Sequence, residues 1–116
     1  MGLVILDDLP ELEIAKGIRM RAVTAVSMTV AHVQIDAGSP LPEHSHPNEQ
    51  VVNVMEGELE IIVAGRAHKL TRGKVLIIPP NALHSGLAIS DCLVIDVFYP
   101  VREDFKGAGF AGYPKR

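Results

Sequence analysis

Three imidazoles and one carboxamide form the chemically richest set in this chain: His44, His46 and Gln50 within H-S-H-P-N-E-Q, and His84 at the end of P-N-A-L-H. Neutral imidazole suits zinc, iron, nickel, copper and cobalt, and an amide oxygen adds a fourth, uncharged ligand. Such a set leaves the ion its full dipositive charge. With a coordination position open to water or substrate, that ion would act as a Lewis acid. Parity favours Gln50 over its acidic neighbour: in an extended chain His44, His46 and Gln50 project from one face and Glu49 from the other. The H-x-H pair by itself also fits two solvated loop histidines, and only the flanking pattern separates the two readings.

A second group lies in I-D-V-F-Y-P-V-R-E-D-F, residues 95–105. Asp96 interrupts the apolar run L-V-I-D-V-F and shares parity with Phe98. A carboxylate there is costly unless it is paired, accepts main-chain hydrogen bonds or is poised to move protons. Read alone, Phe98 is core at least as readily as a ligand platform, and Arg102, following Pro100, is by default a surface arginine. His32 and Gln34 share one strand face and fit either a pocket wall or an outward pair. His68, beside Lys69, reads as solvated. Glu43 and Glu49 are candidates to support the metal histidines from behind.

Positioning these groups falls to β-strands. Met28–Ile35, Gln50–Met55, Leu59–Val63, Val75–Ile78 and Cys92–Phe98 are short, rich in Val and Ile, and bounded by Gly, Pro and Asn. Glu56-Gly57, Ala64 to Arg66 and Thr71 to Lys74 read as hairpin turns. Helix is expected only as one turn near Leu9 to Glu13. The pattern is all-β, a sandwich or barrel. Both faces of Val51–Met55 and Leu93–Val97 are largely apolar, which implies a second covering layer and makes a homodimer the expected assembly. A single domain spans residues 1–116, with a core of about 18–100 and a C-terminal tail over 101–116.

Composition narrows the partners. A net charge of −3 without clustered Lys or Arg argues against a nucleic-acid surface and for a small molecule. No stretch approaches the roughly 20 apolar residues of a membrane span. The start, MGLVILDDLPELE, lacks the basic region and long apolar core of a secretion signal, and its acidic residues read as a soluble face. A lone cysteine, Cys92, fits a small buried hydrophobe in a reducing cytoplasm.

The chain resembles a single-domain cupin. That family's first motif, G-x5-H-x-H-x3-E-x6-G, falls on Gly38, His44, His46, Gln50 and Gly57, with Gln in place of Glu. The second, G-x5-P-x-G-x2-H-x3-N, falls on Gly73, Pro79, Asn81, His84 and Ala88, departing at Asn81 and Ala88. Asn tolerates the left-handed turn conformation that Gly supplies. The resemblance implies a double-stranded β-helix, or jelly-roll barrel, holding one divalent transition metal ion (Zn, Ni, Fe, Mn or Co) on His44, His46, Gln50 and His84. Gln50 and the segment around Asp96 are also similar to the KdgF family of pectin degradation. Matching its D-x-F-x-x-x-R signature implies a catalytic set of Asp96, Phe98 and Arg102. The implied activity is ring opening of 4,5-unsaturated uronates, with an acidic sugar as partner. A cupin dioxygenase, which would more naturally keep a charged Glu at position 50, and a non-catalytic sugar- or metal-binding cupin are the alternatives.

Overall fold

Val, Ile and Thr at alternate positions, cut by Gly and Pro, produce strands almost throughout the computed structural model, which describes residues 2–106 and 113. Among these residues the chain forms β1 (Leu12–Ala15), β2 (Ile18–Thr24), β3 (Thr29–Ile35), β4 (Pro40–His44), β5 (Glu49–Glu56), β6 (Leu59–Val63), β7 (Arg66–Leu70), β8 (Val75–Ile78), β9 (His84–Ala88) and β10 (Cys92–Tyr99). The larger sheet runs β1-β2-β3-β10-β5-β8 and the smaller β4-β9-β6-β7, with every pairing antiparallel. This is the expected jelly-roll barrel.

Apolar side chains fill the space between the sheets. Met20, Ala31, Val33, Val52, Val54, Ile78 and Val94 line the inner face of the larger sheet, opposed by Leu59, Ile61 and Ala88 of the smaller. Strand parity puts Gln50, Asp96 and Phe98 on that same inner face, since Phe98 pairs with Gln50 and Asp96 with Val52 across β5 and β10. The outer face keeps the apolar positions that suggested a second layer. Ile77, Val51, Val97, Val30 and Val23 are successive cross-strand partners running over five strands.

Of the three expected hairpin turns only Ala64 to Arg66 joins paired strands, β6 and β7; Glu56-Gly57 and Thr71 to Lys74 instead carry the chain from one sheet to the other. Ala64 and Gly65 both take positive φ, 48° and 82°, the arrangement of a two-residue turn matched to strand twist. Asn81 holds φ 66°. The expected helical turn near Leu9 to Glu13 is displaced: a 3-10 turn covers Leu6–Asp8, Leu9 is extended and β1 begins at Leu12. Pro10 explains the shift, because it donates no N–H and biases Leu9 away from helical angles. A second 3-10 turn, Glu103–Phe105, buries Phe105. Residues 107–112 and 114–116 of the expected tail lie outside the described residues. No described helix is long and apolar enough to cross a membrane.

Candidate metal centre and its surroundings

The four expected ligands meet at one end of the barrel, and they come from both sheets. His44 closes β4 and His84 opens β9, where the two are register partners in the smaller sheet. Gln50 lies near the start of β5 in the larger sheet. His46 sits on the segment that crosses between them. Parity along one extended chain does not describe this arrangement, because the chain changes sheets between His44 and Gln50. Glu49 is exposed and Gln50 buried, as parity requires. The main-chain N–H of Asn81 donates to the His46 carbonyl at 2.8 Å, which ties the His46 segment to the turn leading into His84.

One device orients all three rings. His44 Nδ1 lies 2.7 Å from the Pro42 carbonyl, His46 Nδ1 3.0 Å from Asn48 and His84 Nδ1 2.9 Å from Ala82. A carbonyl can only accept, so each Nδ1 carries the proton and each Nε2 presents a lone pair. These main-chain carbonyls, each two residues from its histidine, take the orienting place for which Glu43 and Glu49 were considered. The three rings can offer ligand atoms that all lie within 4.8 Å of one another.

The donors fit a divalent cation. His84 Nε2 is buried without a hydrogen-bond partner among the described residues, a cost of about 1–3 kcal/mol unless a ligand takes it up. Gln50 Oε1 stands 3.0 Å from His46 Nε2. With the His46 proton on Nδ1, these two atoms face each other as lone pairs, a pairing that a shared cation turns from repulsive to attractive. The rings are also held neutral. Burial lowers the His44 pKa to about 4, helped by the nearby His84, His46 and Arg102 and opposed by the Pro42 carbonyl. Burial likewise lowers His46 and His84.

Asp96 adds a buried carboxyl to this end of the barrel. Its Oδ1 is buried and unpartnered among the described residues. Burial pushes the carboxyl up to about 7, with the Gln50 amide and the Arg102 charge pulling the other way. An interior cavity of about 50 Å³ is bounded at one end by Gln50, His84 and Asp96 and otherwise mostly by core residues such as Val52, Ile61 and Ile78. That is room for a water or two and not for a sugar ring.

Arg102 and Phe98 complete the carried-over set. Phe98, 3 % exposed, meets the His46 ring edge-on at 5.5 Å and the Phe105 ring likewise at 5.5 Å. Arg102 is 4 % exposed rather than a surface arginine. Its guanidinium lies 3.9 Å from the Phe105 ring centre and 4.9 Å from that of Phe98. Arg102 Nε and Nη2 donate to the two Asp104 carboxylate oxygens at 2.9 and 2.6 Å. Burial works against that charge, while the Asp104 pair and the Tyr113 hydroxyl favour it and hold the guanidinium above its ordinary value. The Arg102 main-chain N–H donates to Thr29 Oγ1 at 3.0 Å, and Asn48 Nδ2 donates to the Pro100 carbonyl, so the segment is pinned from β3 and from the bend before β5.

Other sequence candidates lie elsewhere. His32 sits beside Arg21 and Ile95 on the outer face of the larger sheet, away from the metal cavity. Gln34 shares that face and accepts from Arg19. His68 is half-buried opposite Ile61 rather than fully solvated. Asp104, Asn48 and Tyr113 escaped the sequence reading. The signal available for Tyr113 was one aromatic in a Gly- and Ala-rich tail, which says nothing about where the chain returns.

Comparisons with known proteins follow the same lines. Among curated protein sequences none matches this chain. Of solved structures, an RmlC-like cupin from Shewanella frigidimarina is 26% identical, with a TM-score of 0.83 over 90% of this chain and 96% of that one. KdgF from a Halomonas species is 25% identical, with a TM-score of 0.81 over 90% of this chain and 97% of that one. Ectoine synthase from P. lautus, at 20% identity and a TM-score of 0.78 over 92% and 87% of the two chains, shares the fold. The family model described as the cupin domain matches residues 31–98, which is more than half of the chain. With its two glycine-bounded histidine motifs closing one end of a jelly-roll barrel, this chain belongs to the cupin family.

Proposed function

We propose that this cupin opens the ring of 4,5-unsaturated uronate monosaccharides, yielding 5-keto-4-deoxyuronate-type products. The observation that carries the reading is the placement of a buried carboxyl, raised to about 7, on the same inner face as Gln50 and within the field of Arg102. A carboxyl with that pKa both accepts and releases a proton near neutral pH. The likeness to KdgF from Halomonas supports the same reading.

His44, His46, His84 and Gln50 would hold one divalent transition metal ion. Bound there, it would supply Lewis-acid stabilisation of negative charge developing on a substrate oxygen. The remaining work belongs to side chains. Asp96 accepts the proton of the anomeric hydroxyl as the bond between C1 and the ring oxygen breaks. An aldehyde forms at C1, and the ring oxygen leaves as the enolate oxygen at C5. Asp96 then delivers that same proton to C4 as the enolate becomes a ketone, so no redox change and no water are consumed. Arg102 draws the sugar carboxylate by its charge, its two N–H pairs being engaged by Asp104 and by the Tyr113 hydroxyl. Phe98 supports the guanidinium and closes the pocket beside His46.

We also propose that two copies associate through the outer face of the larger sheet, where the stripe from Ile77 to Val23 gives each copy a self-complementary apolar surface. The test of function is direct. Metal-loaded protein mixed with an unsaturated galacturonate monomer should erase the enol-ether ultraviolet absorbance faster than buffer does. No acceleration with any of zinc, nickel, iron, manganese or cobalt would sink the reading.

A further inference from the structure

Arginine offers a carboxylate two bidentate edges, one through Nε and one Nη, the other through both Nη groups. In Arg102 the first edge is taken by Asp104, at 2.9 and 2.6 Å. The second edge faces Tyr113, whose hydroxyl oxygen lies 3.5 Å from Nη1 and 3.4 Å from Nη2. The same phenol ring lies against the metal-ligand ring of His44, with centroids 4.3 Å apart and planes 33° apart. Its main-chain N–H donates to the Ile14 carbonyl at 2.8 Å, which fixes the residue beside β1. One side chain thus touches both a metal ligand and the edge of the arginine that Asp104 leaves over. The interior cavity behind the ligands is too small for a sugar.

We propose that Tyr113 is a specificity-determining residue that contacts the ligand: its hydroxyl, held on the Nη1/Nη2 edge of Arg102, donates to the carboxylate of an acidic sugar, and its ring closes the site over His44. The proposal rests on the uronate reading for the identity of the acid. Asp104 already offsets much of the Arg102 charge, so Arg102 alone attracts an anion less than a free arginine would. A phenol corrects this without adding charge, because it accepts through oxygen and donates through its proton. Having accepted from both Nη groups of Arg102, it has the chemistry to donate its own proton to the sugar carboxylate. A neutral sugar gives these donors weaker acceptors, and sites built around such bonds discriminate strongly.

The experiment compares zinc-loaded wild type with Tyr113→Phe and Tyr113→Ala, using calorimetric binding of saturated D-galacturonate and D-galactose and turnover of an unsaturated galacturonate. Wild type should prefer galacturonate. Tyr113→Phe should weaken galacturonate binding and raise KM by about tenfold, with kcat changed by less than about twofold. Galactose binding and zinc content should stay as in wild type. Tyr113→Ala, which also removes the ring, should weaken galacturonate binding beyond the Phe variant. Unchanged or tighter galacturonate binding with an unchanged or lower KM in Tyr113→Phe overturns the proposal, making the hydroxyl a mere occupant of the clamp. Equal wild-type affinity for the two sugars overturns it as well. Absent turnover with Tyr113-dependent galacturonate binding would remove the ring-opening reading and leave acid recognition standing.

Discussion

Replacing Asp96 by Asn should damage catalysis and improve stability, and the second effect has a calculable pH signature. Burial lifts the carboxyl from 3.8 to about 7. At 1.36 kcal/mol per pH unit, the ionised side chain costs the folded apoprotein on the order of 4 kcal/mol. The sign follows from where each state titrates. Below pH 3.8 the carboxyl is protonated whether folded or unfolded, and the penalty vanishes. As pH rises the unfolded chain ionises first, so wild-type stability falls by roughly 1.4 kcal/mol per pH unit until the folded group ionises near 7. The nearly isosteric amide carries no such penalty. Urea unfolding of metal-free wild type and Asp96→Asn, measured every half unit from pH 4.5 to 8.5, should give a stability difference that grows toward alkali and levels off above about pH 7. The histidines titrate in both proteins and cancel in the difference. Turnover by the metal-loaded variant should fall by about 10²–10⁴-fold, with metal content unchanged. A stability difference flat in pH would refute the buried, raised carboxyl, and full turnover would refute its role in moving protons.

Three further outcomes can be checked. Glu49→Gln should bind metal as wild type does, because that side chain is exposed, whereas Gln50→Ala should weaken binding by about 10–100-fold in a competitive chelator titration. His44 by itself should withdraw about 3 kcal/mol from the apoprotein as pH falls from 6.5 to about 4, because it is held neutral when folded and gains its proton sooner when unfolded; the loss is read as the stability difference between wild type and His44→Asn in thermal melts, in which the opposite drift from Asp96 cancels. Gly57→Ala should cost about 2–4 kcal/mol by thermal unfolding, since Gly57 holds φ 91° and a Cβ there would run into the Asp91 carbonyl and come within 2.8 Å of Cys92 Sγ.

The strands most legible in the sequence were those bounded by sharp turns and rich in branched aliphatics. β6 and β8 fall on Leu59–Val63 and Val75–Ile78 as read, because Gly57, Gly65, Gly73 and Pro79 leave little freedom at their ends. Besides β1 and β2, the strands that escaped are β4, β7 and β9, whose side chains advertise something else. β4 carries Pro40 and Pro42 and sits at a sheet edge, where missing N–H groups do no harm. β7 is R-A-H-K-L, polar enough to pass for a loop, and β9 is H-S-G-L-A. For the candidate site, local spacing was enough to bring out the four metal-binding candidates. The partners of Arg102 were not legible, since Asp104 and Tyr113 matter through a C-terminal return past β1 that no periodicity records. Arg102 itself shows the limit: a guanidinium after proline reads as surface, and only Phe98, Phe105 and Asp104 in three dimensions make a buried one tolerable.

The carbonyls that hold His44, His46 and His84 each belong to a residue two positions away in the same strand end or loop. Aim is thus encoded tripeptide by tripeptide. The rings need no distant acidic partner to choose a tautomer, and the uncharged barrel can set all three before an ion arrives. Metal uptake then resembles filling a finished socket: the ordering entropy is already spent during folding, and little remains to be rearranged on binding. Exchange of one divalent ion for another should accordingly leave the backbone still, so the cell's metal supply, more than the protein's plasticity, would decide which ion the barrel carries.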